Sequence, residues 1–182
     1  MHLGSTGRRV AAATTAVLGA TVLTACDGDA PFEPSLPSAA GYRADGDALR
    51  IWTGTPCVGV TRFALTFTTA DGERQRLVLT APPPGVTVEQ LDIAQPDPAF
   101  TVDEQPTSDF DWRDAEKASL VIDAAEPAWG SVVDLSDVVD GSPEHPADAY
   151  LFDDVGWKDA ADVADQNGQD FLTVCTPAAD RG

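Results

Sequence analysis

A chain of 182 residues with 30 acidic and only 11 basic side chains carries a formal net charge of −19. Such a balance disfavours nucleic acid and anionic membrane surfaces as partners and favours cations, basic partners or simple solubility. After residue 26 a single histidine, His145, and two cysteines, Cys57 and Cys175, fall short of the sets that zinc sites draw on, and glycine-rich phosphate loops and dinucleotide fingerprints are absent.

The N-terminus reads "MHLGSTGRRVAAATTAVLGATVLTAC". Arg8 and Arg9 form a short positive region, and residues 10–22 are uncharged. That run of about 13 residues suits the apolar part of an export signal and is too short for a spanning helix of roughly 20. Gly7 before the arginine pair and Val10-Ala11 after it fit the twin-arginine pattern poorly, which favours ordinary Sec export. Leu23, Thr24 and Ala25 then lead directly into Cys26.

This order of Leu, two small residues and Cys resembles the lipobox of bacterial lipoproteins. The resemblance covers residues 1–26. It implies cleavage before Cys26, a diacylglyceryl group on the Cys26 thiol, and anchoring on the extracytoplasmic face of the cell membrane, because two or more acyl chains hold a protein stably. Loss of residues 1–25 takes the charge from −19 to −21, since Arg8 and Arg9 leave with the signal. Abundant Ala, Asp, Pro and Arg beside only two lysines, Lys117 and Lys158, point to a GC-rich genome and resemble actinobacterial lipoproteins of unassigned role.

Residues 26–41, rich in Pro, Ala, Ser and acids, read as the lipidated cysteine and an extended tether. Residues 42–177 are expected to form one β-rich domain, and residues 178–182 a short tail. With Cys26 committed to lipid, Cys57 and Cys175 remain. Outside the cytoplasm an even remainder reads as a bridge, here tying the two ends of the domain and removing both thiols as nucleophiles. Two free thiols are the alternative.

The strand signals come at 48–54, 85–93, 118–124, 129–135, 149–152 and 171–175, and the clearest periodicity lies in "VTRFALTFTTADGERQRLVLTAP" (60–82). There Phe63, Leu65 and Phe67 alternate with Ala64, Thr66 and Thr68, which marks one buried face. Leu77 and Leu79 belong on that same face. A two-residue Asp71-Gly72 loop would put them on the other one. A three-residue loop with a bulge at Gly72, pairing Phe67 with Leu77 and Leu65 with Leu79, keeps all five together. Pro82–Pro84 mark an edge or a crossing between sheets. Residues 157–166 are expected to make a short helix and residues 112–118 one helical turn. The fold expected is mostly β, an antiparallel β-sandwich of immunoglobulin-like architecture with one or two short helical turns.

Catalytic signals are sparse. His145, between prolines in "SPEHPAD", reads as a loop histidine, and no Gly-x-Ser-x-Gly elbow is present. Two acidic stretches offer calcium the hard oxygens it takes: Asp134, Asp137 and Asp140 in one, and Asp165, Asn167 and Asp170 in the other. Neither keeps the spacing of an EF-hand. Trp52 and Trp129 fall in strand runs, where burial is the default, whereas Trp112 and Trp157 stand among acids and are the candidates for an exposed, sugar-stacking platform. These residues lead to a lipid-anchored, non-catalytic binding or structural module at the cell envelope. Its partner would be an envelope protein, a glycan or a cation. A small hydrolase using paired carboxylates is the alternative.

Overall fold

The structure is a computed structural model, and it describes residues 36–126 and 128–177. Two five-stranded antiparallel sheets pack face to face as a β-sandwich. In chain order the strands are β1 (Ser38–Ala39), β2 (Gly41–Asp45), β3 (Ala48–Val60), β4 (Arg62–Thr69), β5 (Arg74–Thr80) and β6 (Val86–Asp92). They continue as β7 (Thr101–Glu104), β8 (Ala115–Asp123), β9 (Ser131–Asp134), β10 (Tyr150–Phe152), β11 (Gly156–Lys158) and β12 (Leu172–Thr173). The first sheet runs β11-β10-β2-β3-β6 and the second β7-β5-β4-β8-β9, while β1 and β12 form a separate parallel pair.

Alternation along the strands builds the core. Phe63, Leu65 and Phe67 of β4, with Leu77 and Leu79 of β5 and Leu120 and Ile122 of β8, point inward against Tyr42, Leu49 and Ile51 of the first sheet. Removing a side chain of this size from water contributes about 1.5–3 kcal/mol. Pro82–Pro84 carry the chain from β5 in the second sheet to β6 in the first, so the proline run does mark a crossing.

The β4–β5 hairpin keeps the expected face but in a different register. Leu65 pairs with Leu77 and Phe67 with Gln75, two residues from the expected partners. The loop does hold three residues, but they are Ala70, Asp71 and Gly72. Gly72 N donates to Thr69 O at 2.9 Å and Thr69 N to Glu73 O at 3.0 Å. A type I turn followed by a residue at positive φ needs its glycine last, and Gly72 has φ +87°. The additional loop residue therefore precedes Asp71 and does not follow Gly72.

Other boundaries also move. Ser38 and Ala39 pair with Leu172 and Thr173, and Ala39 and Ala40 are buried, so the folded part begins before Tyr42. Cys57 lies inside the long, bulged β3, and Cys175 lies beyond β12 in a turn. The two cysteines stand at disulfide distance, with Cα atoms 5.2 Å apart. Chain 135–141, read as the end of a strand and an acidic loop, is helix α1 (Leu135–Gly141), with Leu135 and Val138 buried and Asp134 capping it. Helix α2 (Ala160–Gln166) and a 3-10 turn at Trp112–Asp114 appear where short helical segments were expected, and a second 3-10 turn spans Ser142–Glu144.

Candidate functional site

The outer face of the first sheet carries a second apolar cluster, made of Ala39, Trp52, Tyr150, Phe152, Val163 and Phe171. Gly41 permits it. A Cβ there would meet Phe152 Cε2 and Tyr150 Cβ at 2.7 Å each, so only glycine lets the two aromatic side chains lie across β2. The Trp52 ring centroid is 5.5 Å from that of Tyr150 and 5.6 Å from that of Phe152, within the range of favourable aromatic pairs.

Beside this cluster an open cleft of about 470 Å³ runs between the sheet and α2. Trp52 and Tyr150 contribute to its floor, Ala147, Ala160 and Ala161 to its walls, and Gln90, Asp148 and Asp159 supply polar groups. Each part has a local cause. Gln90 stands directly opposite Trp52 in the β3–β6 ladder. Asp159 is the N-cap of α2: its Oδ1 accepts from Ala161 N at 2.8 Å and Asp162 N at 2.9 Å, and Asp162 Oδ2 accepts from Asp159 N in return. This capping box fixes the helix wall.

Asp148 and Ala147 sit on a loop whose carbonyls the Arg43 side chain gathers. Arg43 Nη1 donates to Pro146 O at 2.7 Å and Ala149 O at 2.9 Å, while Nη2 donates to Ser142 O at 2.9 Å and His145 O at 3.4 Å. A planar guanidinium with five donors can gather several carbonyls in this way, and an ammonium cannot reproduce the fork. Sequence reasoning missed Arg43, since donation to main-chain carbonyls leaves no signature in the residues that accept.

The residues singled out from sequence fall elsewhere. Trp112 is buried, its Nε1 donating to Asp47 O at 3.1 Å, with the Arg113 guanidinium 4.8 Å from its ring centre. Trp157 is half-buried and already covered: His145 stacks on it at 4.4 Å and 12°, and Gly141 packs so close that a Cβ would lie 2.7 Å from Cζ2. Neither indole offers the exposed platform expected of it. At Trp112 the neighbouring acids point to solvent while the ring turns inward, and at Trp157 His145 and Gly141 cover the ring.

The two calcium candidates are built into helix ends. Asp134 accepts from Ser136 N and Oγ as the cap of α1. Asn167 Oδ1 accepts from Thr173 N at 2.9 Å and Thr176 Oγ1 at 2.8 Å, tying the end of α2 to β12. Among the described residues no three His, Cys, Asp or Glu side chains gather as metal ligands. Asp137, Asp140, Asp165 and Asp170 lie on or beside these two short helices. Cys26 lies outside the described residues.

Among the described residues one carboxyl is pushed upward, Asp153 in the β10–β11 turn. Burial is the main cause, followed by the nearby charges of Asp154, Asp134 and Asp137. It does not line the cleft. Compared with known protein families, curated proteins and solved structures, the chain matches none.

Proposed function

We propose that this protein is exported, anchored by lipid at Cys26 on the extracytoplasmic face of the cell membrane, and binds a glycan in the cleft beside Trp52 and Tyr150. The observation that carries the reading is the approach of Cys57 to Cys175. A pair at disulfide distance joining distant parts of a sandwich fits an oxidising compartment, as the lipobox-like "LTAC" of residues 23–26 does. The cleft supports the ligand class. Its apolar floor and walls suit the C–H faces of a sugar, and Gln90 and Asp148 present hydrogen-bonding groups to hydroxyls. Hydrolysis by a carboxylate pair draws less support, because Asp159 is engaged as a helix cap and the raised carboxyl of Asp153 lies outside the cleft.

Two measurements test this. Growth of a bacterial host with a labelled fatty acid should label the full chain and leave Cys26→Ser unlabelled; an unlabelled wild type overturns the anchor. Titration of chain 33–182, a compact unit by itself, with cell-wall oligosaccharides should show saturable binding that Asp148→Asn and Gln90→Ala each weaken. Binding that neither substitution alters places the ligand elsewhere.

A further inference from the structure

The second sheet has an outer face unlike the rest of the surface. Strand alternation turns Ala64 of β4, Val78 of β5 and Val121 of β8 outward, and the ladder sets them side by side. Neighbouring side chains leave Ala64 and Val78 only 4% and 6% exposed, so Val121 is the open one of the three. Val132 of β9 lies opposite Ser119 one row further on. Val121 and Val132 are 49% and 48% exposed, two of the four large hydrophobic side chains most open to solvent among the described residues.

The charges on this face are also atypical. It carries Arg62, Arg74, Arg76 and Lys117, half of the eight basic residues in the described part of the chain. Five acids share it: Glu104, Asp123 and Asp134 at ladder positions, and Asp103 and Glu116, exposed in the bulges beside Glu104 and Lys117. The face therefore sums to −1, close to neutral, whereas the remaining described residues sum to −17, with four bases against 21 acids. Two copies of such a molecule repel one another in most orientations, and this face is where the repulsion is relieved.

We propose that this face is a self-association surface on which a second copy of the chain docks face to face. The arrangement along β8 is self-complementary. Lys117 and Asp123 both point outward, six positions apart and so roughly 20 Å apart along the strand. A two-fold axis lying in the interface, across the strands at the level of Leu120, sets Lys117 of each copy over Asp123 of the other. It also sets Val121 over Ser119 of the second copy. On β4 the same axis brings Arg62 over Thr68, and on β5 it brings Arg74 over Thr80 and Arg76 over Val78, so no cation faces a cation. That is the self-matching an isologous contact requires. Sheet faces also pack with their strands within about 30° of alignment, which keeps these pairs within reach.

The area is modest. Five strands across and eight residues along give a face of roughly 19 by 24 Å. This is smaller than the ~800 Å² per partner of a standard interface, so association should be weak, with a dissociation constant of roughly 10–500 µM at ~150 mM salt. Lower salt should weaken it further, because the net charges then repel less screened.

Sedimentation velocity on chain 33–182 between ~10 µM and ~1 mM tests this, with melting curves confirming that each variant is folded. A concentration-dependent dimer is expected. Val121→Lys should abolish it, while Val58→Lys, at a still more exposed valine off this face, should leave it unchanged. Lys117→Asp and Asp123→Lys should each weaken it at least fivefold, and the two together should restore it. A monomer across the range, a dimer indifferent to Val121→Lys, or a double exchange that fails to restore association would each overturn the proposal.

Discussion

Cys57, inside β3, and Cys175, beyond β12, hold their Cα atoms 5.2 Å apart across 118 residues of chain. The contact closes the first sheet's longest strand onto the last segment of the fold. A bridge here restricts nearly the whole domain in the unfolded state, and in the chain-entropy picture a loop of that length gives up to about 5 kcal/mol. Reduction, or the double substitution Cys57→Ala with Cys175→Ala, should lower the melting temperature by roughly 10 °C or more. Two thiols that alkylate freely in the native, unreduced protein would exclude the bridge.

The β4–β5 turn gives a prediction about backbone alone. Gly72 has φ +87°, and nothing lies within 4 Å of where its Cβ would stand. Gly72→Ala therefore meets no clash, and its cost is conformational, about 1 kcal/mol, with Gly72→Asn costing less because Asn tolerates positive φ. Denaturant titrations should show the midpoint falling in the order Gly, Asn, Ala at constant slope. An unchanged Gly72→Ala midpoint would remove the turn assignment made from Thr69, Gly72 and Glu73.

What the sequence revealed of this fold depended on range. The alternation of Phe63, Leu65 and Phe67 is local, so the buried face of β4 and its sharing with Leu77 and Leu79 could be read directly. The register could not, since parity is the same for partners two residues apart, and the turn chemistry of Gly72 decides between them. Helix α1 was hidden by its valines, which resemble a strand run. The spacing of Leu135, Val138 and Val139 after a capping Asp134 was the signal available for it. The cleft was out of reach, because it joins Trp52, Gln90, Asp148, Tyr150 and Asp159 from four separate segments. Trp112 misled for a related reason: Asp111 caps its 3-10 turn and faces solvent, while the indole finds its carbonyl partner 65 residues away in Asp47.

Arg43 should be the residue of the cleft's support least replaceable by a like charge. Its fork serves four carbonyls of the 142–149 loop, and Arg43→Lys keeps the charge but leaves most of those oxygens without this donor. With hydrogen bonds to charged donors contributing about 1.5–3 kcal/mol, Arg43→Lys should lower the melting temperature by roughly 5–10 °C. Hydrogen exchange should rise selectively in residues 142–149. A lysine variant with wild-type stability and unaltered exchange there would show that the loop is held by other contacts.

Asp153 and Asp134 titrate in opposite senses, so they predict opposite responses to pH. Burial, and then the charges of Asp154, Asp134 and Asp137, push the Asp153 carboxyl above its ordinary 3.8. The folded state therefore holds this proton more tightly than the unfolded chain. Its contribution to stability is present in full below 3.8 and is lost as pH rises through the raised folded value. Asp153→Asn removes a carboxylate that the fold disfavours at neutral pH. The variant should melt higher than wild type at pH 7, by only about 1–3 °C because much of the group is solvated, and the gain should close as pH falls towards 3. Asp134 is held low, first by the Ser136 hydroxyl and also by the backbone N–H groups of Ser136 and Asp137. Its contribution is present above 3.8 and lost as pH falls through the lowered folded value. Asp134→Asn should therefore melt lower than wild type at pH 7, with the deficit shrinking in acid. Melting curves of both variants against wild type from pH 3 to pH 7 decide the matter. If Asp153→Asn destabilises at pH 7, or keeps the same gain at pH 3, the fold does not disfavour the Asp153 carboxylate through burial and its acidic neighbours.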